Sequence, residues 1–443
     1  MRYFSLAIFV LLTAANQALA AGYGLKEYSA DAMAVAYAGS AATGTDASYL
    51  AYNPSSLADV SQFDVSMSAV SIMPGSQADY TTAATTPGLP ASGSLTPKNF
   101  VGSAIVPEFG LRYRLSDRWA AGFVVFAPVG MKTGYPDDWA GRYYAEKTQI
   151  LAIDASPTLS YQISPRISVG AALRVEYAKG ALTSAIDLGT LGALYHIPGS
   201  HPGMQDGQGT FHAASWGVGY TLGTTAQLDD QLTLGLSYRS AVHHVLRGPL
   251  TFALDNSGIG AVLRGATGLF TDTRAKAPMT MPDVVALGAR DRVSDRWTLL
   301  AEVDWTNWSR FRELRVIAEN PAQPDDVTAA NWGSGWFGSL GADYRVDERW
   351  HLRTGVGYDS SPIPSSTLDP RIPDANRLWA SVGGRYQISD AATVNLTLSE
   401  LFNSDETISQ SPLQGGNALR GTLAGKTTSS VTVIGFQVSY REP

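Results

Sequence analysis

The chain has 443 residues, a formal net charge of −7, only 16% charged residues and no cysteine. The acidic balance argues against nucleic acid as a partner, and the lack of thiols excludes a disulfide scaffold and thiolate chemistry. The 44 glycines and 20 tyrosines suit many strands better than helices, and the length allows two or three ordinary domains or one large barrel.

Met1-Arg2 gives a positive start, Phe4 to Ala15 is an apolar run, and Ala18-Leu19-Ala20 fits a small-x-small cleavage site. We expect a signal peptide over residues 1–20, cut after Ala20. The run is too short for a membrane span of about 20 residues. Residues 21–60 lack strand alternation but carry Leu25, Met33, Val35, Tyr37, Tyr49, Leu50 and Tyr52, too apolar for a solvated tail. They read as a compact plug.

Residues 61–443 read as a barrel. A tight polar turn recurs as "RLSDRW" (Arg114–Trp119), "RVSDRW" (Arg292–Trp297) and "RVDERW" (Arg345–Trp350), with looser copies at Gln162–Ile167, Gln227–Leu232 and Gln387–Ala392. Each copy is flanked by alternating residues. After Arg296, Trp297, Leu299, Ala301, Val303 and Trp305 share one face; Thr298, Glu302, Asp304 and Thr306 share the other. Successive side chains of a strand point to opposite faces, so each segment has an oily side and a polar side. Most segments run about ten to thirteen residues, the length of a tilted strand crossing a bilayer. Trp119, Trp297 and Trp350 by the turns, with Trp305 and Tyr358 at the far ends, form the expected aromatic girdles.

Six hairpins give twelve strands: 103–115 with 118–128, 151–163 with 166–178, 213–227 with 231–242, 283–293 with 296–308, 335–346 with 349–359, and 377–388 with 391–402. A first strand (62–73) and a last (430–440) make fourteen, an even number as single-chain bacterial outer-membrane barrels have. The fold class is therefore all-β: a closed 14-stranded antiparallel transmembrane β-barrel with an N-terminal plug in its lumen, turns at the periplasmic rim and long loops outside. Fourteen strands enclose more space than wall side chains fill, which gives the plug its place. The loop after strand five offers Ile186, Leu191, Leu194 and Tyr195. The loop after strand seven places Ile259, Val262, Leu263, Ala266, Leu269 and Phe270 at helical spacing. Exposed apolar loops bind something or pack on each other, and a groove at their seam satisfies both.

Further stretches stand out: "AYAG" (Ala36–Gly39), "YNPSSL" (Tyr52–Leu57), "FAPVG" (Phe126–Gly130), "YPDDWAGRYYAEKTQI" (Tyr135–Ile150), Met281–Phe311 and Arg353–Tyr386. Through them the chain resembles the FadL family of outer-membrane transporters for long-chain fatty acids and other hydrophobic compounds. The resemblance covers essentially the whole mature chain. It implies a plug built around the Asn53-Pro54 turn, where Ser55 replaces the family's Ala. It also implies ligand capture at an extracellular groove, an inner pocket, plug movement, and exit through a wall gap near the third strand. For that gap the sequence offers Gly122, Pro128 and Gly130; proline removes a ladder donor and glycine marks bulges, but by itself Pro128 reads as the end of the strand.

A fatty acid needs a cation for its carboxylate. Arg174, Lys179, Arg239 and Arg353 are the inward candidates, and Lys179 is preferred because it lies at the top of strand five beside the apolar loop. Arg112, Arg114, Arg290, Arg345 and Arg385 precede the turns and read as rim or plug-anchoring residues. "NWGSGW" (Asn331–Trp336) lacks the lysine of related sequences, which leaves an aromatic hydrocarbon as the alternative ligand. Tyr440 stands in for the terminal aromatic of such barrels.

The six histidines match no HExxH, GxSxG, P-loop or EF-hand spacing, so no enzyme, metal or cofactor is expected. The rival reading is a porin for small polar solutes. The expected partners are hydrophobic small molecules, outer-membrane lipid and lipopolysaccharide, and the chain is expected to be a monomer in the outer membrane of a Gram-negative bacterium.

Overall fold

The computed structural model describes residues 22–59 and 62–442; the expected signal peptide lies outside them. Fourteen strands, some interrupted, form one antiparallel sheet among the described residues. They are β1 (Phe63–Ala84), β2 (Ala104–Arg114), β3 (Trp119–Gly134), β4 (Lys147–Ser164), β5 (Ile167–Asp187), β6 (Asp206–Gln227), β7 (Leu232–Arg239 and Val242–Ala253), β8 (Thr273–Met281 and Val284–Asp291), β9 (Trp297–Thr306), β10 (Gly335–Arg345), β11 (Trp350–Asp359), β12 (Arg377–Gln387), β13 (Ala392–Asn403) and β14 (Thr422–Arg441). The sheet closes where β1 pairs with β14, from Asp64 opposite Arg441 to Ala84 opposite Thr422. Closure leaves the sheet without a first or last edge strand, as a bilayer demands.

The recurring turns have one chemistry. Ser116, Ser164, Asp229, Ser294, Asp347 and Ser389 each accept backbone N–H groups two or three residues on, with the Asp347 carboxylate 2.8 Å from the N–H of Trp350. A short polar side chain that folds back on its own backbone makes a turn without help from elsewhere. The tryptophan that follows packs on a tyrosine of the neighbouring strand: Trp119 on Tyr161, Trp297 on Tyr344 and Trp350 on Tyr386, with ring centroids 4.6–4.7 Å apart. These pairs form the lower girdle. Above them Leu236, Leu287, Leu340, Leu352, Val356, Leu396 and Phe436 point outward and are exposed. An apolar belt of this extent belongs in lipid.

Several strands continue past their expected ends. β1 runs to Ala84 rather than residue 73, β5 to Asp187 rather than 178, β6 begins at Asp206 rather than 213, and β14 begins at Thr422 rather than 430. The ladder goes on above the membrane, but outward positions such as Gln77 and Asp79 are polar there. The apolar alternation that marks a lipid-facing strand stops while hydrogen bonding does not. Ile186 therefore belongs to β5 and not to the following loop.

Residues 22–59 fill the lumen. Ser29 caps the short helix α1 (Ala30–Met33), accepting the N–H of Ala32, and two 3-10 turns follow at Ala47–Ala51 and Pro54–Asp59. Leu25, Tyr28, Met33, Tyr37, Tyr49 and Leu50 form one cluster with wall residues that include Val70, Val124, Phe126 and Trp379. Glycines make room for the plug. A Cβ on Gly223 would fall 1.9 Å from Asn53 Oδ1, and one on Gly170 would fall 2.4 Å from the carbonyl carbon of Pro54.

Candidate functional site

The wall has a break that the plug itself fills. β2 pairs with β3 from Arg114 opposite Ala120 only as far as Phe109 opposite Val125. Beyond Val125, β3 stays on β4 and shifts register between Phe126 and Val129. The residues it skips are Ala127 and Pro128, so Pro128 sits in a bulge with the strand continuing to Gly134 and is not the strand's end. The free edge of β3 is taken by the start of the plug. Leu25 donates its N–H to Pro128 O at 2.9 Å, and Gly130 donates to Tyr23 O at 3.0 Å, with Gly24 directly opposite Val129. Of the three wall-gap residues read from the sequence, Pro128 and Gly130 lie at this break. Gly122 lies below it in an unbroken ladder, opposite Arg112 and Thr158.

Behind the seam lies a pocket of about 100 Å³ bounded by Leu25, Lys26, Tyr28, Pro128, Arg174 and Trp379, among others. Two of its cations, Arg174 and Lys26, pair with carboxylates of the wall. Arg174 bonds Asp154 at 2.5 Å, Glu176 at 2.7 Å and Ser240 O at 2.8 Å. Lys26 pairs with Asp304 and lies 4.3 Å from the Phe337 ring centroid. Further cations hold the plug: Arg353 and Arg385 both bond Asp31, at 2.7 and 2.5 Å. Arg112 donates to Gly44 O, Ser56 O and Asp64, and Arg239 donates to Ala51 O at 2.7 Å. Asn53 donates to Ala41 O at 2.6 Å and accepts from the N–H of Ser55 at 2.9 Å. Arg239 and Arg353, read as lumen cations, thus serve the plug, as Arg112 and Arg385 were expected to do.

A larger groove opens on the extracellular side, where helices α2 (Leu188–Leu194) and α3 (Ile259–Thr267) stack. Leu188, Leu191, Ile259, Leu263 and Phe270 form one buried cluster, with Ile186, Phe252 and Leu269 packed against it. Beside it is a cavity of about 600 Å³ bordered by Ile186, Leu191, Phe211, Leu250, Phe252 and Phe270 on one side and by Asp326, Arg371 and Arg420 on the other. The two apolar loops therefore pack together and also frame a cavity. Leu194 and Val262 face away from the cluster and are more than half exposed.

Lys179 is a correction. It is exposed, while Arg174 on the same strand is buried; the two are five residues apart and so point to opposite faces. Lys179 borders a cleft on the outside of the wall, of about 440 Å³, with His212 and Arg247. Ladder pairing puts Lys179, Ala214, Arg247 and Lys276 in one row across β5 to β8. Inside the wall, Ser215 Oγ lies 2.8 Å from His244 Nδ1, and His244 Nε2 lies 2.9 Å from Glu176. The order resembles a nucleophile, base and acid. However, Glu176 also holds Arg174, and neither Ser215 nor His244 borders the pocket or the groove.

The family model described as outer membrane protein transport protein (OMPP1/FadL/TodX) matches residues 11–441. The chain belongs to this family. The FadL-type sequence runs through plug, wall and loops alike. The long-chain fatty acid transport protein of Escherichia coli K12 is 26% identical over 93% of this chain and 94% of its own length. Outer membrane protein P1 of Haemophilus influenzae is 26% identical over 88% of each. Among solved structures, a FadL homologue of Pseudomonas aeruginosa superposes with a TM-score of 0.86 at 23% identity, covering 95% of this chain and all of that one. The toluene transporter TodX of P. putida gives 0.70 at 16%, with the same coverage. As a FadL-family member, the protein is a β-barrel of the Gram-negative outer membrane that transports hydrophobic small molecules. Lys26, Arg371 and Arg420 were missed in the sequence. Lys26 carried a usable signal, as the one lysine in the apolar plug segment. The two arginines lie in loops without periodicity and carried none.

Proposed function

We propose that the protein is a passive route for long-chain fatty acids or similar hydrophobic molecules across the outer membrane. The ligand enters the groove beside Ile186, Leu191 and Phe270, descends to the pocket against the plug, and leaves sideways between β2 and β3. The observation that carries this reading is the seam at Pro128: the plug's first residues complete an otherwise open strand edge, so plug movement and wall opening are one event. The pocket behind the seam holds about 100 Å³, below the roughly 300–1,000 Å³ of small-molecule sites. A fatty acid fits there only when the plug shifts. Ile259, Leu263 and Leu269 shape the groove from behind. The outward row of Lys179, Arg247 and Lys276 fits phosphate-bearing lipids of the outer leaflet.

A polar-solute porin is disfavoured by the filled lumen. An uncharged aromatic hydrocarbon is the second reading, favoured by the absence of a lysine in Asn331–Trp336. Deleting Gly22–Asp59 is expected to convert a nearly silent protein into a large, steady conductance in planar bilayers while the barrel stays folded. A deletion variant as silent as the intact protein would remove the plug from the mechanism.

A further inference from the structure

The outer surface of the wall carries a cluster of unpaired charge above the apolar belt. Ladder pairing sets Lys179 on β5 opposite Ala214 on β6, Ala214 opposite Arg247 on β7, and Arg247 opposite Lys276 on β8. All three cations are exposed, and none pairs with a carboxylate among the described residues. Arg247 and Lys276 are direct cross-strand neighbours, with Cβ atoms about 5 Å apart, and like charges so placed repel. One solvated lysine needs no explanation. Two like charges set side by side on adjoining strands call for an anion between them.

Beside Lys179 and Arg247 lies the recess of about 440 Å³. Its floor is made of small residues, Gly180, Ala181, Ala213, Ala214, Gly248 and Pro249, and His212 completes the rim. The recess has its cause in the backbone. Between Phe211 opposite Leu250 and Ala214 opposite Arg247, the β6–β7 ladder lapses. Pro249 has no N–H to give, and a Cβ on Gly248 would fall 1.9 Å from His212 O. Two residues below the cation row, Tyr177 packs on Trp216 with ring centroids 4.9 Å apart. Val218 on β6 and Leu173 on β5 continue down the same outward face, and with Trp216 each is more than half exposed. Tyrosine and tryptophan gather at the membrane–water interface. The cations therefore stand at the height of lipid headgroups and the apolar column at the height of acyl chains.

We propose that this recess seats one phosphorylated, multiply acylated glycolipid of the outer leaflet, its phosphates held by Lys179, Arg247 and Lys276 and its chains laid along Trp216, Val218 and Leu173. The inference deepens the outer-leaflet contact of the transport reading; it rests on that reading for the membrane setting and is separate from the path of the transported ligand. One phosphate lies between Arg247 and Lys276, where its oxygens accept from both and cancel their repulsion. A second meets Lys179, about 10 Å away across two strands.

The test is native mass spectrometry of the full-length protein in detergent, titrated with diphosphoryl lipid A and with monophosphoryl lipid A, each with and without inorganic phosphate as competitor. The intact protein is expected to hold one diphosphoryl lipid A, about fivefold tighter than the monophosphoryl form, at about fivefold per engaged cation. Lys179→Gln is expected to abolish that difference. Arg247→Gln combined with Lys276→Gln is expected to weaken both lipids about 25-fold by the same measure. Arg118→Gln combined with Arg166→Gln removes equal charge from exposed positions at the periplasmic turns and is expected to change neither. If the periplasmic pair weakens lipid A as much as the Arg247 and Lys276 pair does, binding follows net charge and the seat is overturned. Equal binding of the two lipids by the intact protein overturns it too, as does complete displacement of the lipid by inorganic phosphate. Oleate uptake by cells carrying the same variants keeps the two readings apart. Normal uptake with lipid binding unmoved by Arg247→Gln and Lys276→Gln removes the seat and leaves transport standing. Absence of uptake by the intact protein removes transport, while lipid binding still decides the seat.

Discussion

The backbone N–H of Leu25 in the plug donates to the carbonyl of Pro128 in the wall at 2.9 Å. One residue earlier, Gly24 faces Val129. The bonds flank this pair, so the two Cα atoms are in the close, non-hydrogen-bonded type of antiparallel site, about 4.5 Å apart. That separation falls within the range a disulfide spans. The chain has no cysteine of its own, so the double variant Gly24→Cys, Val129→Cys would form a single defined cross-link. Oxidised, it is expected to stop fatty-acid uptake by cells with the protein in their outer membrane, and a membrane-permeant reductant is expected to restore it. Full uptake in the oxidised state would show that the seam need not open.

Asp31 gathers two arginines from different strands, Arg353 on β11 and Arg385 on β12, and accepts from the Tyr49 hydroxyl at 2.7 Å. It is fully buried. Removing one charge from such a cluster leaves the others unpaired in low dielectric, at a cost of about 3–5 kcal/mol. Asp31→Asn is expected to loosen the plug while sparing the barrel, whose ladders do not depend on it. In planar bilayers this variant is expected to show frequent openings between the silence of the intact protein and the steady current of the plug deletion. Proteolysis would sharpen the result, with cleavage in residues 22–59 and none in the wall. A variant as quiet and as resistant as the intact protein would mean that the remaining contacts hold the plug unaided.

The barrel was legible in the sequence because its two strongest constraints are local. Alternation is set by the lipid on one side, and the turns are set by a serine or aspartate that bonds its own backbone. Both act within six residues and need no partner. Where lipid ends the signal ends, and for this reason the upper halves of β1, β5 and β6 read as loops in the sequence. Lys179 lies high on β5 beside the apolar loops, but its odd spacing from Arg174 turns it to the other face, and parity decides which face a strand residue takes. Pro128 was ambiguous locally, since a bulge and a strand end use the same residues, and only the distant Tyr23–Leu25 segment distinguishes them. The groove was half legible. The helical spacing of Ile259, Leu263 and Phe270 gave one side, but Arg371 and Arg420 on the other side lie in loops whose sequence has no period.

Leu340 on β10 faces outward between Ala301 and Val356 and is 64% exposed, well above the girdle formed by Trp297 and Tyr344. In water such a leucine would be a liability; in lipid it is at rest. Placing an arginine on the lipid face of a barrel costs roughly 2–4 kcal/mol at the bilayer midplane and about 0–1 near the interface. Leu340→Arg is therefore expected to lower the unfolding free energy of the barrel refolded in vesicles by the larger amount. Gln77→Arg, outward on β1 above the apolar belt, is expected to change it little. Guanidinium titration followed by tryptophan emission reads both. Equal stability for the two variants would place Leu340 outside the hydrocarbon, and the height of the groove above the membrane would have to be redrawn with it.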